Sequence, residues 1–281
     1  MGTFSRSWDL LGQSFQVLKS DKNMLWLPVV SGFLCLCATV TIFGIGFLVT
    51  VPAGSFPRDP AQQKALMNQM APFIFLFYLV TYNIVVFFNV ALVSIASNRL
   101  SGGQATLNDG LQLAWSRKWS IFQWALLAAT VGVLLNLLEE RLSFVGRFIV
   151  SLIGLAWTLA SFFVVPVLAA GNLGPVEALS NSASVFRETW GEEVVGGFSF
   201  GAIFSLLAVP GMLLPVLGAR LGLPGMAAGM AAAMLYWLFL ATVGSAARGV
   251  FVAALYRYAT TKQVPPGFLR DDLTGAWQPK R

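Results

Sequence analysis

Six stretches of the chain stay apolar for unusually long: residues 24–51, 72–97, 119–138, 144–170, 194–217 and 225 to about 245. Each reaches the roughly 20 residues that a helix needs to cross about 30 Å of hydrocarbon. None shows the sustained alternation of a membrane β-strand. Backbone polar groups in lipid must be satisfied within their own segment, so each stretch predicts a transmembrane helix.

The polar stretches between them carry a second pattern. In "GPVEALSNSASVFRETWGEE", apolar residues fall at Val176, Leu179, Ala183, Phe186 and Trp190, with gaps of 3, 4, 3 and 4. That is one face of a helix, and the opposite face carries Glu177, Asn181, Ser184, Arg187 and Glu188. A similar stripe, Phe4, Trp8, Leu11, Phe15 and Leu18, precedes the first apolar run, and a weaker one, Leu107, Leu111, Ala114 and Trp115, precedes the third. Residues 4–19, 107–118 and 176–190 therefore predict amphipathic helices lying in the membrane surface.

These segments align with one another. An acid, a Leu two residues on and a small residue three further recur as Asp9, Leu11 and Ser14, as Asp109, Leu111 and Ala114, and as Glu177, Leu179 and Ser182. Each acid falls near the positive end of its helix dipole, and Pro175 suits a first helical position. A second match closes each unit: "FFNVALV", "FFVVPVL" and "VFVAALY" bring Phe88, Phe163 and Phe251 into register. The expected fold is all-α and integral to the membrane: six transmembrane helices built as three repeats of a cytoplasmic amphipathic surface helix plus a transmembrane hairpin. The repeats cover about 4–97, 105–170 and 175–257 within one membrane domain, 1–260, followed by a short cytoplasmic tail, 261–281. Each hairpin returns the chain to its starting side, so a pseudo-threefold axis along the membrane normal is expected.

Composition agrees. The chain is 57% hydrophobic and 11% charged, against about 25% charged for soluble domains. Its 18 Lys and Arg are scattered between the apolar runs, which argues against nucleic acid as a partner. With the N-terminus inside, 13 of them (Arg6, Lys19, Lys22, Arg99, Arg117, Lys118, Arg187, Arg248, Arg257, Lys262, Arg270, Lys280 and Arg281) fall on the cytoplasmic side and 5 on the other. The expected place is a prokaryotic inner membrane with both termini cytoplasmic. Trp8, Trp26, Trp115, Trp119 and Trp190 fall near the cytoplasmic boundaries, where indoles anchor. The first apolar run, 28 residues long, exceeds a signal-peptide core and reads as a retained span.

"FSRSWDLLGQSFQVLKSDKNMLWLPVVSG", "NLGPVEALSNSASVFRETWGEEVVGG" and "VFVAALYRYATTKQVPPGF", with the segment from Phe87 through "LQLAWSRKWSIFQWALLAATVG", resemble a family of uncharacterised prokaryotic six-pass membrane proteins. More distantly, the chain is similar to the membrane domain of glycerophosphodiester phosphodiesterases. The resemblance implies architecture and brings no site residues. The soluble phosphodiesterase domain has no counterpart in the sequence, so that reaction is not implied.

Chemistry is sparse. The chain has no His, which removes the commonest general base and zinc ligand. No Gly-rich phosphate loop occurs, and Cys35 and Cys37 lie inside an apolar run as small membrane-facing or packing residues. The expectation is a protein that is not an enzyme and uses neither cofactor nor metal. Asn83, Asn89, Asn136 and Arg248 are the candidate interior polar residues, because polar groups in apolar runs face a bundle interior more often than lipid. Pro210, Gly211 and Pro215 interrupt the fifth run, as a helix framing a substrate site would, or as a packed kink. Gly197 with Gly201, and Gly225 with Gly229, permit close helix approach. Arg187 and Glu188 are the candidate docking residues of the third surface helix. Membrane lipids are the expected partners, with a protein partner at the surface helices. A scaffold or complex subunit is the leading reading, and a passive or gated transporter of a lipid-like or small solute the alternative.

Impermeant labelling of single cysteines tests the topology. Positions beside Lys64 and Arg220 should react from outside the cell, and those beside Arg117 and Arg187 only after permeabilisation. External labelling at Arg187 would contradict it.

Overall fold

The computed structural model describes residues 12–15, 18, 22–51, 59–190, 200–266 and 268. Helix is the only regular structure among them. A 3-10 turn, Lys22–Leu25, leads into α1 (Trp26–Thr50); α2 (Pro60–Leu100), α3 (Leu107–Ser116), α4 (Lys118–Arg141), α5 (Phe144–Ala160), α6 (Val164–Ala170), α7 (Pro175–Trp190), α8 (Phe200–Ala219) and α9 (Gly222–Thr261) follow. Five segments are long and apolar enough to cross a membrane: Lys22–Thr50, Pro60–Leu100, Lys118–Glu139, Val145–Ala170 and Gly222–Thr261. The fifth expected run corresponds to α8, which contains a shorter apolar helix, Phe204–Ala219. Residues 194–199 of that run lie outside the described residues, as does most of the first expected surface helix, of which 12–15 and 18 are helical.

The chain divides into two compact units, one of Met1–Pro28, Leu92–Gly110 and Ser184–Arg281, the other of Val29–Ala91 and Leu111–Ala183. In the first, α8 and α9 form an antiparallel hairpin whose backbones approach closely. A Cβ added to Gly225 would overlap the Gly218 carbonyl oxygen, and one on Gly229 the Leu214 carbonyl oxygen. The small-residue spacing of Gly225 and Gly229 thus packs helices of the same chain. Farther along, α9 meets the end of α2, where Gly249 lies against Leu92. The core there consists of Leu92, Ile95, Ala246, Ala247, Val250, Phe251, Ala254 and Leu255, all under 2% exposed. Met24 of the 3-10 turn is fully buried, and that turn packs on α9.

Pro210 and Pro215 do not break α8, which runs continuously through both. Proline at 210 has no N–H for the Leu206 carbonyl, and its ring forces the turn open. The next two carbonyls along take donors from α9: Tyr236 donates its hydroxyl to the Leu207 carbonyl, and Trp237 donates its indole N–H to the Ala208 carbonyl at 3.0 Å. Gly211 makes room, since a Cβ there would strike the Trp237 ring. The interruption read in the sequence is therefore a continuous helix packed on α9 through Tyr236 and Trp237.

In the second unit, α1 pairs with α2 through Phe43 on Phe77, with ring centroids 5.1 Å apart, and through Gly46 against Phe73. Helix α4 pairs with α5 through Trp124 stacked on Trp157 at 5.7 Å. The fourth expected run is one apolar segment but two helices, because Pro166 cannot donate to the Phe162 carbonyl. Residues 161–163 unwind as turn, and Phe163 donates its freed N–H to the buried Ser182 hydroxyl of α7 at 2.9 Å.

Helix α2 has 41 residues and α9 has 40. At 1.5 Å per residue each is about 60 Å long, roughly twice the hydrocarbon thickness. Both therefore extend well past a single crossing, and α2 starts twelve residues before the apolar run that marks it in sequence.

Gly229→Val should force the hairpin apart and cost about 1–3 kcal/mol. Trp237→Phe, which removes the donor together with part of the ring, should cost about 1–2 kcal/mol. Thermal unfolding of the purified protein in detergent reads both, and an unchanged midpoint for Gly229→Val would contradict the backbone contact.

Candidate functional site

The candidate polar residues do not share one environment. Asn83 and Asn89 of α2 are half-buried. The Asn83 Nδ2 is enclosed without a hydrogen-bond partner. Asn136 of α4 is exposed instead, flanked by the exposed Leu134, Leu137 and Leu138, and Arg248 of α9 is exposed between the buried Ala247 and Gly249. Asn136 and Arg248, expected alongside them as interior residues, thus differ from them in exposure. Which face of a helix meets a neighbour decides this, and a helix apolar on all sides does not reveal that face in its sequence.

The surface segments resolve into named helices. Helix α7 buries Ala178, Ser182 and Phe186, at 0, 0 and 6% exposure, while Val176 is 70% exposed. The inward face is therefore rotated from the expected stripe toward the small residues. Trp190, the last member of that stripe, has its side chain outside the described set. Arg187 and Glu188 are exposed, and Glu188 accepts a hydrogen bond from Ser184 at 2.7 Å.

Helix α3 begins with a reciprocal cap. Thr106 donates both its N–H and its hydroxyl to Asp109 Oδ2 at 2.8 Å, and the Asp109 N–H returns a longer bond to the Thr106 hydroxyl. This is the geometry of a capping box, with Asp in the acidic position. The acid at Asp109 thus has a defined local role. The bonds from the Thr106 backbone and side chain hold the Asp109 carboxyl below its ordinary range. Just upstream, Asn98 accepts the Ala105 N–H at 3.0 Å and cinches the turn that ends α2. Arg257 donates to the Ser101 hydroxyl in the same turn. Neither Asn98 nor Ser101 stands out in the sequence, because the signal is only an Asn ahead of a Gly-Gly pair.

At the junction of α3 and α4, Trp115 and Trp119 are 63% and 69% exposed. Lys118 Nζ lies 4.6 Å from the Trp115 ring centroid, within cation–π range. Arg117 is half-buried with its Nε enclosed and unpartnered. In the sequence these two cations weigh only as counts toward orientation.

Long apolar helices of this number define a multi-pass helical membrane protein. Residues 69–266 match the model of a family of unknown function, DUF6159, and the chain belongs to that family. No curated protein matches, and no solved structure matches. Nothing in these comparisons links the chain to glycerophosphodiester phosphodiesterases.

The cap yields a pH dependence. A carboxyl with a lowered folded pKa contributes stability fully above its unfolded value, about 3.9, and loses it as pH falls through the lower folded value. Hydrogen exchange across the first turn of α3 should therefore stay protected near neutrality and open only in strong acid. Thr106→Ala should open that turn at every pH, and a turn equally protected in Thr106→Ala would show that the cap does not hold it.

Proposed function

We propose that this chain is a non-enzymatic integral membrane protein, a scaffold or a subunit of a membrane complex. It has six transmembrane helices in three repeats and sits in a prokaryotic cell membrane with both termini cytoplasmic. The observation that carries the scaffold reading is the exposure of Asn136 and Arg248, together with the closed, hydrogen-bonded packing of α8 on α9. A transport route needs polar groups gathered along an enclosed path, and these features offer none of their own. The apolar faces point the same way. Only 6% of the apolar window of α1 is buried within the chain, against 56% for α9, which leaves long surfaces for lipid and for a partner.

The repeats draw support from burial at matched positions. Ser14, Ala114 and Ser182, the small residue of each surface segment, are each 0% exposed. Two of the surface helices rest on the far end of the preceding hairpin: Ser182 takes the Phe163 N–H, and the Trp115 ring meets Phe87 edge-on at 6.4 Å. A surface helix held this way presents its other face, with Arg187 and Glu188 on α7, to the cytoplasm and to a partner. The transporter reading keeps one observation, the enclosed and unpartnered amide of Asn83 in an apolar helix.

Affinity purification in mild detergent, with partner identification, tests the proposal. A stable partner should be recovered, and Arg187→Glu with Glu188→Arg should weaken its recovery, while Asn89→Leu and Asn136→Leu should leave it intact. Loss confined to the Asn variants in folded protein, or bound solute without a partner, would overturn the scaffold reading.

A further inference from the structure

We propose that Arg117 and Lys118, bracketed by Trp115 and Trp119, bind the phosphodiester headgroup of an anionic phospholipid. The proposal rests on the membrane reading, with α4 crossing the bilayer. Four features within one unit of the fold carry it. Trp115 and Trp119 are the two strongly exposed indoles at the start of α4, and each is braced on one side by a phenylalanine. Trp115 meets Phe87 at 6.4 Å and Trp119 meets Phe122 at 6.3 Å, both edge-on. Rigidly held indoles that stay open on their other faces are suited to the headgroup boundary, where their apolar rings and N–H groups are both satisfied.

Between them stand two adjacent cations. Among the described residues, neither Arg117 nor Lys118 pairs with a carboxylate, and the described carboxylates of the same unit, Asp59, Glu139 and Glu177, form no ion pair with them. Arg117 is half-buried, with Nε enclosed and without a hydrogen-bond partner. Partly desolvating a guanidinium without a counter-ion is costly, and the cost falls when an anion arrives. Lys118 stays exposed, with its ammonium held over the Trp115 ring. It can therefore meet a headgroup without losing the indole that positions it. A guanidinium and an ammonium side by side suit the oxygens of a phosphodiester. The flanking indoles select a lipid over a soluble anion, since a free anion gains nothing from exposed apolar rings.

The full-length protein in detergent micelles is titrated with brominated phosphatidylglycerol or brominated phosphatidylcholine. Quenching at the two indoles is read as the difference from the Trp115→Phe/Trp119→Phe variant. Half-quenching should need a roughly 20-fold lower mole fraction of phosphatidylglycerol, about fivefold for each cation. Arg117→Gln/Lys118→Gln should bring phosphatidylglycerol to the phosphatidylcholine level, and Arg117→Lys/Lys118→Arg should keep most of the preference. Gel filtration identifies any variant that fails to fold, and the charge-retaining pair then decides. Equal quenching by both lipids in the unaltered protein, or a preference that survives the double Gln change, would overturn the proposal. Release of the lipid by excess inorganic phosphate would assign the site to a soluble anion instead. If neither lipid quenches these indoles, the placement of α4 at the membrane boundary fails as well.

Discussion

Between apolar helices in lipid, burying more apolar surface gains almost nothing, because acyl chains are as apolar as leucine. Helices that stay together there do so through close backbone approach and through polar groups with no other place to go. Much of the packing in this protein follows from that constraint. The α8–α9 hairpin rests on glycine carbonyls meeting glycine backbones at Gly218 and Gly225. The turn before Pro210 is held by Tyr236 and Trp237. The unwound turn at Phe163 is held by one serine hydroxyl. Proline lies in or beside two of these places, and each time a side chain of a neighbouring helix bonds backbone groups next to the one that proline leaves unpaired.

The coarse fold is legible in the sequence because membrane helices announce themselves by length and composition. Five expected runs have counterparts among the long apolar helices, and α3 and α7 fall where the 3.6-residue period of 107–118 and 176–190 puts them. The limits of the reading are also physical. Apolarity marks the hydrocarbon and not the helix, so the first twelve residues of α2 escape it. Pro166 ends α5 early, though nothing in the run's hydropathy changes there. The stripe through Val176 overlaps the inward face of α7 only in part, sharing Phe186, because close packing there favours the small residues Ala178 and Ser182.

The candidate site is legible only in part, for a related reason. Asn83, Asn89 and Asn136 look alike in sequence, each an amide in an apolar run, yet their exposures differ with the face each helix turns to its neighbours. The Asp109 cap is readable from spacing, since Thr106 stands three residues ahead of it. The grouping of Trp115, Arg117, Lys118 and Trp119 is contiguous in the chain, but its character depends on burial and on the lack of ion pairs among the described residues, which spacing does not express. Membership in a family of unknown function extends the architecture to relatives and leaves the biochemical role to be found by experiment.

The pairing of α8 with α9 also bears on how the protein is made. Synthesis delivers Pro210 to the membrane well before Tyr236 and Trp237, the residues that close its loosened turn. Only two residues, Arg220 and Leu221, join the helices, so neither can settle far from the other. A helix carrying two prolines and left alone in lipid would hold its opened turn against hydrocarbon until its successor emerged. Insertion of the two as one hairpin removes that interval, and the glycines that let the backbones touch make early closure sterically free. The contacts that fix the folded hairpin would thus favour joint entry of the two helices over entry one at a time.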